Sequence, residues 1–242
     1  MQYVILAAGL GSRFVKEGEK NPKPLVDILG EPMIGRLIRI LVNECNGEKI
    51  FIAANKNMPV LAEYLDTLKA QGLPLDVRNI VSDNSYYSLT EACKGVTGKF
   101  IAMTVDAIFP LKEFKEYAKA VEAMPEGEVL MGLTRFVDDE SPLYARMGNG
   151  EVIDYRYGGE PFAEGTIVSA GLYGLNDAAM DTVAAREGYP ESLSDFQRIL
   201  AAETPIRVVP FEFSKALDVD CRHDRLVAEE FLQQVNGETR KN

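Results

Sequence analysis

The sequence predicts an α/β fold, a three-layer α/β/α sandwich around a mostly parallel, Rossmann-like sheet. Apolar, β-rich segments alternate with segments of helical spacing through the first half of the chain, which is the order of a parallel sheet. The segments at residues 3–7 and 100–105 are almost wholly apolar, as in strands that are covered on both faces. At 242 residues the chain is long enough for one such domain, whereas two full domains would be cramped.

The first half contains four predicted strands, at residues 3–7, 50–54, 75–80 and 100–105. Between the first two strands, apolar residues follow the spacing of an amphipathic helix, at positions 34, 37, 38, 41 and 42. Weaker helical patterns cover residues 60–68 and 114–124. These helices supply the outer layers of the predicted sandwich.

After about residue 128 the pattern changes. Strands are predicted at residues 129–136, 151–157 and 167–175, separated by glycine-rich turns, and a closing helix at residues 222–235. We expect the later strands to be antiparallel additions to the sheet. Residues 1–242 are therefore interpreted as one domain with two halves, about 1–127 and about 128–242.

The composition narrows the classes of function. A formal net charge of −11 repels polyanions, so neither nucleic acid nor an anionic membrane is expected as a partner. No apolar run approaches the length that crosses a bilayer, and the first residues lack a basic leader, so a cytoplasmic location is expected. Three cysteines and one histidine at wide spacings argue against a disulfide framework or a structural zinc site. The assembly state stays open, with a homo-oligomer as one alternative.

A glycine-rich loop follows the first predicted strand, in the segment LAAGLGSR at residues 6–13, and PKPL follows at residues 22–25. Glycines after a buried strand let backbone N–H groups approach an anion closely. Arg13 offers a fork of donors and Lys23 a compact charge, so the loop is a basic spot in an acidic protein. The alternative is a strand-to-helix turn whose glycines serve geometry alone.

Two acidic positions are candidate metal ligands. Asp106 follows the predicted strand 100–105, and ligands of open α/β sheets bind at the carboxyl ends of strands. Its carboxylate suits Mg²⁺, although it is also placed to cap the following helix. Asp218 and Asp220 lie in the segment DVDCRHD and point to one side if that segment is extended; the alternative is a pair of solvated acids. His223 is expected to support the start of the last helix.

The LAAGLGSR and PKPL segments together resemble the signature of the sugar-phosphate nucleotidyltransferase superfamily. The resemblance implies a magnesium-dependent transfer of a nucleoside monophosphate from an NTP to a small phosphorylated substrate, with release of pyrophosphate. It also implies that residues 1–127 bind the nucleotide and residues 128–242 the acceptor. Two alternatives remain: a glycosyltransferase that uses Asp218 and Asp220 as a D-x-D pair, and a non-catalytic nucleotide-sensing module of the same fold.

The resemblance assigns roles to positions of this sequence. The base and ribose pocket would be lined by Leu6, Ala7, Ala8 and Gly9. The β- and γ-phosphates would be held by Gly11, Ser12 and Arg13. Lys23 would reach the α-phosphate and stabilise charge during transfer. Asp106 and Asp220 would bind Mg²⁺, with Asp218 as the second choice to Asp220.

The loop DNSYYSL at residues 83–89 resembles the N-x-x-Y-S-L pattern of the phosphocholine cytidylyltransferase branch. Asn84 and Ser88 are therefore predicted to contact the base, and CTP is the favoured nucleotide. The alternative is a polar loop with a serine that caps a short helix.

Two later segments resemble acceptor-binding motifs of the superfamily. Residues 160–161 resemble E-K-P without its lysine, and residues 169–173 resemble S-G-x-Y. Together these segments implicate Glu160 and Gly171 in binding the acceptor. The missing lysine disfavours an ordinary hexose 1-phosphate. The expected acceptor is a small alcohol phosphate, and Tyr157 is a further candidate contact to it. Aromatic rings attract ammonium ions, so a cage formed by Tyr155, Tyr157 and Tyr173 around the pocket would favour an acceptor with a quaternary ammonium group. Each tyrosine is alternatively an ordinary strand residue.

Overall fold

The computed structural model describes residues 1–82, 84–138 and 141–239, without the side chains of residues 236–239. The strands in chain order are β1 (Gln2–Ala7), β2 (Asp27–Ile28), β3 (Glu31–Pro32), β4 (Lys49–Asn55), β5 (Leu75–Ile80), β6 (Lys99–Thr104), β7 (Ala107–Ile108), β8 (Glu128–Thr134), β9 (Leu143–Gly148), β10 (Glu151–Tyr157), β11 (Val168–Asn176), β12 (Arg207–Phe213) and β13 (Leu217–Asp218). The α-helices are α1 (Ser12–Lys16), α2 (Met33–Glu44), α3 (Pro59–Ala70), α4 (Ser85–Cys93), α5 (Leu111–Ala123), α6 (Asp177–Ala184), α7 (Leu193–Glu203) and α8 (Arg222–Thr239), and a short 3-10 helix covers Lys23–Leu25.

The central sheet confirms the predicted fold class. Strand β1 pairs in parallel with β4 and β6, and β4 pairs in parallel with β5. Strand β11 then adds antiparallel to β6 and β8, and the β9–β10 hairpin is antiparallel as well. One strand of the second half departs from the expected antiparallel pattern, since β12 pairs in parallel with β8.

Both faces of the sheet are covered, which explains why β1 is apolar after its first residue. Tyr3 and Ile5 face a core cluster that includes residues of α2, α3 and α5. Val4 and Leu6 face the other side, where residues of α4, α6 and α7 pack. Alternate residues of a strand point to opposite faces, so a strand buried on both faces has no polar positions. Each fully buried side chain of this size contributes about 1.5–3 kcal/mol through the hydrophobic effect.

A third, smaller core cluster joins the two ends of the chain. Phe14 of α1 and Val219 pack with Ala228 and Phe231 of α8. A hydrogen bond reinforces the contact, since the backbone N–H of Arg222 donates to the carboxylate of Glu17 (2.9 Å). The last helix is therefore held against the segment that follows the glycine loop.

Within the described part of the chain, no helix is both long and apolar enough to span a membrane.

Candidate active site

The glycine loop lies at the carboxyl edge of the parallel strands, where β1, β4 and β6 end side by side. Asn55, the last residue of β4, is buried and donates from Nδ2 to the carbonyl oxygen of Ala8 (2.9 Å). This bond fixes the backbone at the start of the loop. The side chains of Leu6, Ala7 and Ala8 are buried in the protein, so a ligand would meet this segment through its backbone.

The fold requires glycine at only one of the two glycine positions of the loop. Gly11 has a φ of 63°, a left-handed conformation, and a Cβ there would lie 2.6 Å from Cβ of Lys23. Glycine is therefore required at position 11 by the protein itself. A Cβ at Gly9 would meet no heavy atom within 4 Å, so the fold does not require glycine there. The space in front of Gly9 is open to a ligand. Ser12 begins α1 directly after Gly11.

Lys23 lies at the centre of the site. The residue is 9% exposed, and its Nζ donates to Oδ2 of Asp106 and Oδ1 of Asp220. Burial would lower the pKa of Lys23, but the two carboxylates outweigh burial and raise the pKa above its usual range. Burial would likewise raise the pKa of Asp106, but Lys23 outweighs it and holds the pKa below that of an ordinary aspartate. Lys23 and Asp106 are therefore a charged pair at neutral pH.

Asp106 and Asp220 converge although 114 positions separate their residue numbers. Asp106 lies in the turn between β6 and β7, and α5 is preceded by Pro110, so the alternative role of Asp106 as a helix cap is wrong. The backbone N–H of Val219 donates to the carbonyl of Asp106 (3.2 Å), which brings the next residue, Asp220, beside it. Nη1 of Arg13 lies 3.6 Å from Oδ2 of Asp220.

The turn that carries Asp220 is held by the first turn of α8. Oδ2 of Asp224 accepts from the backbone N–H groups of Asp220 (2.8 Å) and Cys221 (3.0 Å). Asp224 lies in the first turn of α8. His223 does not support the helix start in this way: its side chain is exposed, and its Nε2 lies 3.7 Å from Oδ2 of Asp138.

A cavity of about 800 Å³ opens beside this cluster. Its wall includes Arg13, Asp218, Asp220 and Gly171, together with residues of α7 and of the second-half strands. Gly171 has a φ of 67° and lies at an irregular point of the β11–β8 pairing; a Cβ there would lie 2.6 Å from Oγ1 of Thr104 and 3.3 Å from Oδ1 of Asp218. The structure thus brings Arg13, Asp220 and Gly171, which were predicted for phosphate, metal and acceptor, to the wall of one cavity.

Glu160 does not line this cavity. Its backbone carbonyl accepts a hydrogen bond from Arg156 on β10, and the ring of Phe162, two residues on, lies under the guanidinium of Arg156 at 4.3 Å. The loop that carries Glu160 is therefore attached to the hairpin. The role of Glu160 in acceptor binding stays a prediction.

The predicted base loop has a clear structural role. Oδ1 of Asn84 accepts from the backbone N–H of Tyr87 (2.7 Å) and so caps α4. The cap is thus an asparagine and not the serine of the alternative interpretation. Ser88 is 5% exposed, and its Oγ lies 2.6 Å from Oγ of Ser82. Asp83 lies outside the described residues. Contact of Asn84 and Ser88 with a base stays a prediction.

The three tyrosines do not form a cage, and the role of Tyr157 in acceptor binding stays a prediction. Tyr155 and Tyr173 are each 3% exposed and belong to the core under the sheet, whereas Tyr157 is 66% exposed. Of the three, Tyr157 and Tyr173 contribute to the cavity wall and Tyr155 does not. Tyr155 and Tyr157 pair regularly with β9 and so lie on the same face of β10, but Tyr157 is the last residue of the strand. Three rings therefore do not converge on one cation.

The acidic cluster fits a magnesium ion through its oxygen atoms. Among the described residues no three His, Cys, Asp or Glu side chains form a metal-binding group, so the protein would supply few ligands. Oδ1 of Asp106 is buried without a hydrogen-bond partner. Thr104 contributes to lowering the pKa of Asp106, yet its Oγ1 also lacks a hydrogen bond of good geometry. An unpaired carboxylate oxygen is the donor that Mg²⁺ uses when phosphates and waters supply the other ligands.

Comparison with known proteins identifies the family. Residues 3–138 match the model of the MobA-like NTP transferase domain, a range that includes the glycine loop, Lys23 and Asp106. The chain belongs to this family. The match confirms the superfamily and the enzyme class, a nucleotidyltransferase, that the LAAGLGSR and PKPL segments predicted.

Individual relatives are more distant. The bifunctional protein GlmU of Methanococcus vannielii is 26% identical over 123 residues, which are 50% of this chain but 28% of that protein, so the chain spans less than a third of its length. The inositol-1-phosphate CTP transferase of T. maritima is 17% identical with a TM-score of 0.77, over 97% of this chain and 95% of that one. The CTP:phosphocholine cytidylyltransferase of Streptococcus pneumoniae is 20% identical with a TM-score of 0.73, over 96% and 98%. These two structural similarities show that this chain has the same fold as both proteins.

Proposed function

We propose that this protein transfers a nucleoside monophosphate from an NTP to a small phosphorylated substrate, with release of pyrophosphate and in the presence of Mg²⁺. The observation that carries the proposal is the convergence of Lys23, Asp106 and Asp220 beside the glycine loop. A basic side chain for phosphate and two acids for a metal ion are the parts that phosphoryl transfer requires.

In the proposed reaction, an oxygen of the acceptor phosphate attacks the α-phosphorus of the NTP. The bond between the α-phosphorus and the oxygen that bridges to the β-phosphate breaks, and pyrophosphate leaves. The acceptor phosphate is already ionised near neutral pH, so the protein need not remove a proton. Lys23 and Arg13 stabilise the negative charge that builds up, and the open backbone at Gly9 lets the nucleotide approach.

Asp106 and Asp220 are the proposed magnesium ligands. Held by these two carboxylates, Mg²⁺ would neutralise negative charge on the phosphates. Asp220 is preferred to Asp218 because Asp220 and Asp106 both accept a hydrogen bond from Lys23. Asp218 lies in β13, next to Gly171. The contact of Asp220 with both loop cations also favours nucleotidyl transfer over a D-x-D glycosyltransferase, which would not need Arg13 and Lys23.

CTP is the favoured nucleotide in this proposal. Its support is the resemblance of the loop at residues 84–89 to the phosphocholine cytidylyltransferase branch, in which Asn84 and Ser88 would contact the base. Residues 1–127 would bind the nucleotide and residues 128–242 the acceptor, apart from Asp220, which completes the nucleotide site. Gly171 and Tyr157 line the acceptor side of the cavity.

The test is pyrophosphate release with each of the four NTPs against a panel of phosphorylated alcohols, with and without Mg²⁺. The panel includes phosphocholine, glycerol phosphate and sugar 1-phosphates. Magnesium-dependent pyrophosphate release that requires both an NTP and an acceptor supports the proposal. Release of a nucleoside diphosphate from a nucleotide-sugar, without any reaction of NTPs, would instead identify a glycosyltransferase.

A further inference from the structure

The cavity wall contains a buried carboxamide that has no role in the chemistry proposed above, that of Gln197 on α7. The residue is 2% exposed, yet it lines the cavity together with Leu193 and Ser194 from the first turn of the same helix. A buried amide is unfavourable unless its hydrogen bonds are made. Its partners therefore show what it can still offer a ligand.

Two hydrogen bonds fix the orientation of Gln197. Its Nε2 donates to the carbonyl oxygen of Leu193 (3.3 Å), which identifies the nitrogen end of the amide. Its Oε1 accepts from Oγ of Ser169 on β11 (2.8 Å). The amide nitrogen carries two hydrogens and the serine hydroxyl carries one. Oγ of Ser169 also interacts with the hydroxyl of Tyr173. After these bonds, one N–H of Gln197 and one lone pair of Ser169 remain for a ligand in the cavity.

A neighbouring N–H donor and oxygen acceptor complement an alcohol, because a hydroxyl group both accepts and donates a hydrogen bond. A trimethylammonium group can make neither bond. Buried hydroxyl groups also occur elsewhere on the wall. Oγ1 of Thr134 already accepts from the backbone of Phe136 (3.1 Å) and Ala216 (3.4 Å). Tyr173 interacts with Ser169, and Oγ1 of Thr104 lies on the side of Asp106 and Gly171. The Gln197–Ser169 pair differs from these groups because it offers an amide N–H beside a hydroxyl oxygen.

The pair also lies at a suitable distance from the acids. Ser169 is two residues from Gly171 on β11, so at most roughly 7 Å separates their Cα atoms. Gly171 is next to Asp218, since a Cβ on the glycine would lie 3.3 Å from Oδ1 of that residue. A small ring that carries one phosphate and several hydroxyls spans this distance.

We propose that Gln197, oriented by Ser169 and the carbonyl of Leu193, determines acceptor specificity by binding a hydroxyl group of the acceptor. The inference rests on the proposed function, because it assigns a residue to the acceptor pocket of that reaction. An acceptor with hydroxyl groups remote from its phosphate is selected over one with a quaternary ammonium group.

The test compares Gln197→Met with Gln233→Met, a matched control at an exposed position of α8. The probes are glucose 1-phosphate, myo-inositol 1-phosphate and phosphocholine, each with CTP and with the other NTPs. Gln197→Met is expected to raise the KM of the preferred polyol phosphate roughly 10-fold, the value of one or two hydrogen bonds, and to leave the KM of the NTP within about 2-fold. The KM of phosphocholine should not rise. The control variant should have the wild-type KM for the polyol phosphate, for phosphocholine and for the NTP.

A second measurement separates recognition from packing. Wild-type protein should discriminate glucose 1-phosphate from at least one of its monodeoxy analogues, and Gln197→Met should accept that analogue and the parent equally well. Ser169→Ala, which removes the partner of Oε1 but leaves the amide, should lose part of the discrimination. If Gln197→Met does not fold, as judged by circular dichroism and thermal unfolding, Ser169→Ala provides the same comparison.

The outcomes distinguish this inference from the proposed function. If the wild type releases pyrophosphate but Gln197→Met changes all acceptors alike, or raises the KM of the NTP, Gln197 is structural and the inference is overturned while the function stands. If the wild type releases no pyrophosphate with any pair, the proposed function fails. In that case saturation-transfer NMR with glucose 1-phosphate and myo-inositol 1-phosphate still decides, because absent binding, or equal binding by wild type and Gln197→Met, overturns the inference.

Discussion

Gly9 and Gly11 lie two positions apart in one loop, and the structure predicts different results when each is replaced by alanine. At Gly11 the backbone is left-handed, which costs an alanine about 1–2 kcal/mol. The new Cβ would also lie 2.6 Å from Cβ of Lys23, and overpacking of this kind costs about 1–3 kcal/mol. Gly11→Ala should therefore lower the free energy of unfolding by about 2–5 kcal/mol, a large part of the roughly 5–15 kcal/mol of a typical domain. Any relief of the clash moves Lys23, so kcat should fall as well.

Gly9→Ala is the matched control for stability. A Cβ at position 9 meets no heavy atom within 4 Å and the backbone is not left-handed, so the free energy of unfolding should stay within about 0.5 kcal/mol of the wild type. If the nucleotide approaches this backbone, the methyl group should raise the KM of the NTP. The pair thus separates the glycine needed by the fold from the glycine needed by the ligand.

Urea unfolding followed by circular dichroism measures the first effect, and pyrophosphate release at varied NTP concentration measures the second. A Gly11→Ala protein with wild-type stability and turnover would show that the loop adapts freely, which contradicts the geometry at Lys23. A Gly9→Ala protein with an unchanged KM for every NTP would remove Gly9 from the nucleotide site.

Three further predictions concern the charged cluster. Lys23→Met should lower kcat about 10²–10³-fold and weaken NTP binding much less, because one preorganised charge is lost; wild-type turnover would remove Lys23 from the mechanism. Asp106→Asn and Asp220→Asn should each abolish magnesium-dependent turnover and leave the circular dichroism spectrum unchanged, and activity of either variant at ordinary Mg²⁺ concentrations would contradict the assignment of that ligand. The lowered pKa of Asp106 adds stability above the unfolded pKa of about 3.9, which is lost as the pH falls through the lower, folded pKa. Urea unfolding between pH 5 and pH 2 should therefore show a decline in stability that is shallower in Lys23→Met, and equal slopes would refute the pairing.

The parts of the fold that could be predicted from the sequence are those whose burial leaves a pattern. Strand β1 is apolar at every core position because helices cover both of its faces, and the spacing of α2 reports its single buried face. Strand β12 escaped prediction because its sequence, RVVPFEF, has a proline and two charges and does not alternate regularly. Its pairing with β8 depends on a partner that no local pattern specifies.

The site was predictable where the chemistry is concentrated in a short segment and not where it depends on tertiary contacts. The glycine loop and Lys23 are close in sequence and carry a recognisable pattern. Asn55 was missed because an asparagine at the end of a strand resembles any turn residue, and its bond to the loop appears only when β4 lies beside β1. Gln197 was missed because a polar residue in an amphipathic helix is ordinarily solvated, whereas here it faces Ser169.

Asp218 and Asp220 show most clearly what spacing alone does not determine. Extended backbone would place both acids on one side, so spacing alone does not rank them, and only the resemblance placed Asp220 first. In the structure, β13 ends at Asp218, and the carboxylate of Asp224 then accepts from the backbone N–H groups of Asp220 and Cys221. The chain turns at this point into α8, so Asp220 meets Lys23 while Asp218 stays beside Gly171. The carboxylate of Asp224, the third residue of α8, thus holds the turn in which Asp220, and not Asp218, contacts Lys23.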